Sequence, residues 1–185
     1  MFEILGQLVV IVLAGDLIAG FFHWLEDTYC MRGYLFAVCD RNIEHHRSPT
    51  HMGRKHSFLE RNKSTAALFV IGILLLWALD LLVWQAIATV FVASCGNEIH
   101  YINHRRLDEL NPLQRFLADS GLIQSRVQHN RHHRAPYDRL YCVIVSLNNE
   151  VLERIRFWRG LEAAIRIASF GQVVPQRGKA TRNGF

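Results

Sequence analysis

Residues Ile4–Leu25 read ILGQLVVIVLAGDLIAGFFHWL, 22 positions with Asp16 as the only carboxylate and no lysine or arginine. At about 1.5 Å per residue a helix of this length crosses the ~30 Å hydrocarbon core of a bilayer. No basic residue precedes the stretch, no small-residue cleavage site ends it, and Asp16 interrupts the apolar run, so it does not read as a signal peptide. The expectation is a retained membrane anchor.

Outward from this stretch the charges segregate. All 21 lysines and arginines lie in residues 32–63 and 105–182. The second gap contains Ala66–Gly96, 31 residues with Asp80 as the only charge. One helix of that length would measure about 46 Å, too long for a bilayer without severe tilt. Split near Asp80 and extended to Ser64 and Asn103, it predicts two spans, although no Gly or Pro marks the turn. Three spans put residues 26–63 and 105–185 on one side, so that every cation is cytosolic, as the positive-inside rule demands. Two spans would strand the basic tail on the other side. The predicted fold is all-α: an integral membrane helical bundle with three transmembrane helices and cytosolic and interfacial helices. The N-terminus and Asp80 are expected outside.

The chain has 185 residues, half hydrophobic, with a net charge of +5. That suffices for one domain, placed at residues 1–170, followed from Gly171 by a Gly/Arg/Lys-rich tail expected to be disordered. The composition excludes a collagen-like chain, and four cysteines without CxxC spacing (Cys30, Cys39, Cys95, Cys142) exclude a disulfide scaffold. The basic charges flank apolar spans and suit anionic headgroups, not nucleic acid. Leu113–Val127 reads as an amphipathic surface helix, Tyr141–Leu147 as a β-prone or buried run, and Asn148–Ala168 as an amphipathic interfacial helix.

Ten histidines stand out, crowded into residues 45–56 and 100–133 apart from His23. His100 and His104 are spaced i, i+4, and His129, His132 and His133 i, i+3, i+4, so each set projects from one helix face. His45, His46, His51 and His56 fill NIEHHRSPTHMGRKH, and His23 lies one turn before Asp27. Neutral imidazole suits iron, zinc, copper and nickel. A zinc hydrolase uses about three protein ligands, whereas this set can supply two metals. The His-His pairs beside arginines could instead hold a headgroup phosphate, although such a site favours Arg and Lys throughout. Asp16, Asp27, Glu98 and Asp119 are the accompanying carboxylates, with Asp16 and Asp27 the expected catalytic ones. Asp16 in the membrane either bonds between helices or orients a histidine ligand through its N–H. His51, without a helical partner, reads as a loop residue.

Several dispersed motifs, in order, resemble the Kua/CarF-type lipid desaturase domain family, which includes plasmanylethanolamine desaturase and a plant phosphatidylglycerol fatty acid desaturase. They are HWLEDT (23–28), EHHRSPT (44–50), HSFLERN (56–62), NEIHYINH (97–104), HNRHHRAP (129–136), YCVIVSLNN (141–149) and LERIRFWRGLE (152–162). Where that family reads HHxxHHxxPH, this chain carries Gln128 and Tyr137 at the outer positions. The resemblance implies a di-iron centre, two Fe per chain, that uses O2 and external electrons to place a double bond in a lipid. It implies ligand roles for His23, His45, His46, His100, His104, His129, His132 and His133, with His56 as a further candidate. No flavin, nicotinamide or haem motif is present, so the electrons are expected from a protein such as ferredoxin or cytochrome b5. Arg105, Arg106, Arg131, Arg134 and Arg139 would steer an acidic carrier. A hydroxylase on the same centre and a non-catalytic membrane metal-binding protein are the competing readings.

Overall fold

A computed structural model describes residues 2–29, 45–49 and 57–175. His51 and His56 lie outside the described residues, as does the predicted tail from residue 176 onward. Regular structure among the described residues is helical throughout. The helices are α1 (Phe2–Tyr29), α2 (Phe58–Ala78), α3 (Trp84–Ser94), α4 (Gly96–His104), α5 (Pro112–Ser120), α6 (Arg126–His132), α7 (Ser146–Arg154) and α8 (Phe157–Ala168). A helical turn at 45–47 and a 3-10 turn at Leu107–Glu109 complete the set.

Two of these helices, α1 and α2, are long and apolar enough to cross a membrane. Helix α2 begins six residues before the expected Ser64. Ser57 caps it, its side chain accepting the Glu60 N–H while the Glu60 carboxylate accepts the Ser57 N–H, which satisfies two orphan donors at once. The turn without glycine is made by Asp80, which takes a left-handed φ of 56°, a conformation Asp tolerates better than most residues. The third predicted span is not one helix. The mostly apolar α3 has eleven residues, and the chain breaks at Cys95 before the polar α4 continues.

Helix α3 packs against both α1 and α2, and glycines set how closely. A Cβ on Gly15 would sit 2.7 Å from the Val92 Cγ1, and one on Gly72 equally close to that of Val90. Small residues let apolar helices touch along their backbones where no hydrophobic effect drives them together. Helix α2 buries none of its residues, and α1 exposes Leu5, Val9 and Val10.

The buried core lies at the other end of α1. Trp24 stacks on Trp158 of α8 with ring centroids 5.7 Å apart, and Tyr141 meets Trp158 edge-on at 5.2 Å. Trp24 Nε1–H donates to Glu162, which ties α8 to α1. The predicted 148–168 helix is therefore two, α7 and α8, broken where Arg156 adopts φ 54°. The predicted 113–127 helix likewise ends at Gly121 (φ 74°), and α6 starts anew at Arg126. Residues 141–144 are buried as expected, but as irregular backbone and not as a strand.

Candidate metal centre

Four segments bring imidazoles to the end of α1 that carries His23. Helix α1 contributes His23 and, one turn on, Asp27; the turn at 45–47 contributes His45 and His46. Helix α4 contributes His100 and His104, and α6 with its C-cap contributes His129, His132 and His133. Half-buried Arg61–Glu98 and Asn62–Glu98 hydrogen bonds fix α4 against the start of α2, so the i, i+4 pair on α4 is held in rotation about its axis.

The eight histidines divide into two groups. In one, ligand nitrogens of His45, His100, His104, His129 and His133 all lie within 4.8 Å of one another. In the other, nitrogens of His23, His46 and His132 lie within the same distance of an Asp27 oxygen. Asp27 contacts His46 at 2.9 Å, His132 at 3.3 Å and His23 at 3.5 Å. The groups adjoin through His132 and His133, consecutive in the chain.

Backbone and amide carbonyls settle the tautomers. His23 Nδ1–H donates to the Tyr141 carbonyl at 3.0 Å, His132 Nδ1–H to that of Arg139 at 2.8 Å, and His129 Nδ1–H to the Gln124 side-chain oxygen at 3.1 Å. A carbonyl only accepts, so each ring carries its proton on Nδ1 and turns the Nε2 lone pair inward. The facing nitrogens are crowded: Nε2 of His129 lies 2.7 Å from that of His104, and Nε2 of His45 lies 2.8 Å from His100 and 3.1 Å from His104. Both nitrogens of His133 are buried without a hydrogen-bond partner, and the inward Nε2 atoms of His23 and His132 face the Asp27 carboxylate. Several lone pairs converging in a buried space is unfavourable for bare protein and is what a cation relieves. The residues fit a metal.

Burial pushes His45, His129 and His133 well below the ordinary imidazole range, and neighbouring imidazoles add to the shift. They stay neutral at physiological pH, the form that coordinates metal.

Of the two expectations for Asp16, the bond between helices is the one observed. Asp16 is buried, but its oxygens accept the Ile144 N–H at 2.7 Å and the Asn148 amide at 2.9 Å, not an imidazole. Seven residues along a helix place it ~10 Å from His23, beside the 141–148 segment. Glu98 serves the Arg61 bond, and Asp119 pairs with Arg115 in solvent. Gln128 turns toward α7, bonding Glu150 and Asn149, while the Tyr137 ring packs 4.7 Å from that of His46. Gln124 and the carbonyls of Arg139 and Tyr141 are the functional groups sequence reading missed. Only Gln124 carried a signal, as an amide that follows the apolar pair Leu122–Ile123 five residues before a histidine.

Fold and site together define a helical protein with membrane-length helices and a buried imidazole centre able to hold metal. Residues 11–175 match the lipid desaturase domain, and the chain belongs to that family. It is 31% identical over 160 residues to fatty acid desaturase 4, chloroplastic, of Arabidopsis thaliana, covering 81% of this chain and 48% of the relative. A second relative from that plant, fatty acid desaturase 4-like 1, is 30% identical over 158 residues (81% and 52%). Plasmanylethanolamine desaturase 1 of Mus musculus is 30% identical over 172 residues (83% and 62%). The chain thus spans about half the length of the plant relatives it matches. No solved structure matches it.

Proposed function

We propose that the chain is a membrane lipid desaturase with two irons, one in each histidine group, working on O2 and electrons from a separate carrier protein. The observation that carries this reading is the pair of adjoining buried ligand sets, five imidazoles beside three imidazoles and a carboxylate. Both sets lack the oxygen-rich donors that magnesium or calcium require, and imidazole with one carboxylate suits iron.

His45, His100, His104, His129 and His133 would hold one ion, and His23, Asp27, His46 and His132 the other. When bound, the irons supply the O2 chemistry for unactivated C–H bonds that side chains lack. In balance, O2 takes four electrons and leaves as two waters. Two electrons and two hydrogens come from adjacent lipid carbons, which become the double bond, and the other two electrons come from the carrier with two protons. The chain's own residues do the positioning. Carbonyls of Tyr141 and Arg139 and the Gln124 amide hold three imidazoles in one tautomer, and Trp24, Tyr141 and Trp158 wall the site from water.

The names of the relatives favour a lipid substrate of one of two kinds, an acyl chain or the ether chain of a plasmanylethanolamine. Three crossings, the third being α3 with α4, put the histidine end in the cytosol, where α1 meets the basic segments. Residues 1–170 then form one desaturase domain and 171–185 a tail. Arg131 and Arg134 are exposed beside the site and would receive an acidic carrier such as ferredoxin or cytochrome b5. Iron analysis of purified protein tests the reading, together with mass spectrometry of lipid incubated with reductant and O2. About two irons per chain and a product lacking two hydrogens are expected. One zinc per chain after iron-replete growth refutes it, and a product gaining one oxygen makes the centre a hydroxylase.

A further inference from the structure

Helix α5 has an inverted arrangement. Asn111 caps its start, accepting the Gln114 N–H, Pro112 occupies its first turn, and Gly121 closes it in the left-handed region, so nine residues hold a helix while burying none of them. Its half-buried positions are Gln114, Leu117 and Ala118, whereas Leu113 and Phe116 point outward at 66% and 61% exposure. Leu122, just past the C-cap, is 62% exposed. Three large apolar side chains thus lie on the outer surface of the helix and its C-cap, while the helix meets the protein through Gln114, Leu117 and Ala118. Soluble helices turn the other way.

The surroundings decide what covers this face. Each cation beside it already holds a carboxylate: Arg105 pairs with Glu109 at 3.3 Å, Arg106 with Asp108 at 3.0 Å and Arg115 with Asp119 at 3.7 Å. A site for headgroup phosphate or an acidic peptide would leave those guanidiniums open. The face is apolar and locally neutral, which fits hydrocarbon. It is also continuous with the lipid-facing surface: α5 packs on α4, which prolongs α3, where Phe91 and Ile87 are exposed.

We infer that α5 lies in the plane of the bilayer surface, with Leu113, Phe116 and Leu122 sunk among the acyl chains of the leaflet at the histidine end. The inference rests on the membrane reading of α1 and α2. Helix α4 ends at His104 and α6 begins the run containing His129, so the segment dipping into lipid connects two ligand-bearing helices. The five-imidazole group then stands at the hydrocarbon boundary, and a lipid chain reaches it without leaving the leaflet.

The test is nitroxide labelling of the full chain in phosphatidylcholine vesicles, with Cys30, Cys39 and Cys95 changed to Ser and the buried Cys142 kept. Labels go on Phe116→Cys, Leu113→Cys, Arg115→Cys on the polar side of the helix, and Leu74→Cys on α2 as a lipid reference. Power saturation compares collision with O2, which partitions into lipid, and with a nickel chelate, which stays in water. Phe116 and Leu113 labels should favour O2 by several-fold over the Arg115 label and approach the Leu74 value, with no change between low and high salt. Chelate access at Phe116 and Leu113 with O2 access at Leu74 refutes the inference alone. Protection from both agents there means that a protein surface covers the face, which also refutes it. Chelate access at Leu74 overturns the membrane reading and this inference with it.

Discussion

Replacing Asp16 separates a residue that holds the fold from one that holds metal. Its carboxylate is buried and accepts two hydrogen bonds, from the Ile144 N–H at 2.7 Å and from Asn148 Nδ2 at 2.9 Å. Asp16→Leu leaves the buried Ile144 N–H unsatisfied and takes one of two acceptors from the half-buried Asn148 amide, which keeps the Leu13 carbonyl, so roughly 2–4 kcal/mol is expected together. A chain of this length loses roughly 2–4 °C of unfolding midpoint per kcal/mol. Asp16→Asn keeps an acceptor for Ile144 but can set an NH2 against the Asn148 NH2, so about half that loss is expected. The same segment carries the Tyr141 carbonyl that orients His23, and loosening such an outer partner costs about 10–100-fold in metal affinity. Thermal unfolding of the detergent-solubilised protein, followed with and without metal, reads both effects. The midpoint of metal-free protein should fall in the order parent, Asn, Leu, and metal affinity should fall in the same order. An Asn variant that loses metal while its metal-free midpoint matches the parent would refute this reasoning and restore a direct Asp16–histidine contact.

Three further outcomes follow from the geometry. On the proposed two-iron centre, Asp27→Asn removes the anionic donor of its group and should lower bound iron toward one per chain; retention of both ions with full activity would show that Asp27 is no ligand. Metal-free protein should lose stability as pH falls below the ordinary imidazole value of 6.5. His45 and His129 have depressed values, so the unfolded chain takes up protons there that the folded chain refuses, at about 1.4 kcal/mol per group per pH unit. A metal-free midpoint flat from pH 7.5 to 5 would contradict that. Gly20→Ala places a Cβ 2.7 Å from the Cys142 Sγ and should cost ~1–3 kcal/mol by overpacking. Adding Cys142→Ala should return part of it, and additive losses would mean that the two do not meet.

The clustering of the histidines was legible because its signal is local: imidazoles at i, i+3 and i+4 share a helix face whatever the tertiary fold. Their division into two groups was not, because His132 and His133 are adjacent in sequence yet go to different groups. Spacing also placed Asp27 beside His23 but could not show that His46 and His132 would close on it. Apolar runs marked the membrane-length helices α1 and α2, while the break at Cys95 carries no Gly-Pro signature beyond Gly96. That glycine sits where a Cβ would approach Ala19 and Val143 at 3.2 Å, so a tertiary contact made it necessary and no local preference announced it.

Residues 139–145 show why a buried run can read as a strand and be none. The Arg139 carbonyl accepts from His132, and that of Tyr141 from His23. The Cys142 carbonyl accepts the amides of Gln124 and Asn149 at 2.7 Å each, and the Cys142 N–H donates back to Asn149 Oδ1. Ile144 accepts the Gln124 N–H and donates to Asp16. A helix would use these carbonyls four residues on, and a sheet would use them on a neighbouring strand; either would withdraw them from the imidazoles. Buried backbone must be satisfied somewhere, and here side chains of α1, α6 and α7, with Gln124, do it. Irregularity in this segment is therefore the condition for the centre. Two metal-facing histidines hold their tautomers because this stretch forms no regular structure, and Asp16, Asn148 and Asn149 matter to the metal because they keep it closed against α1.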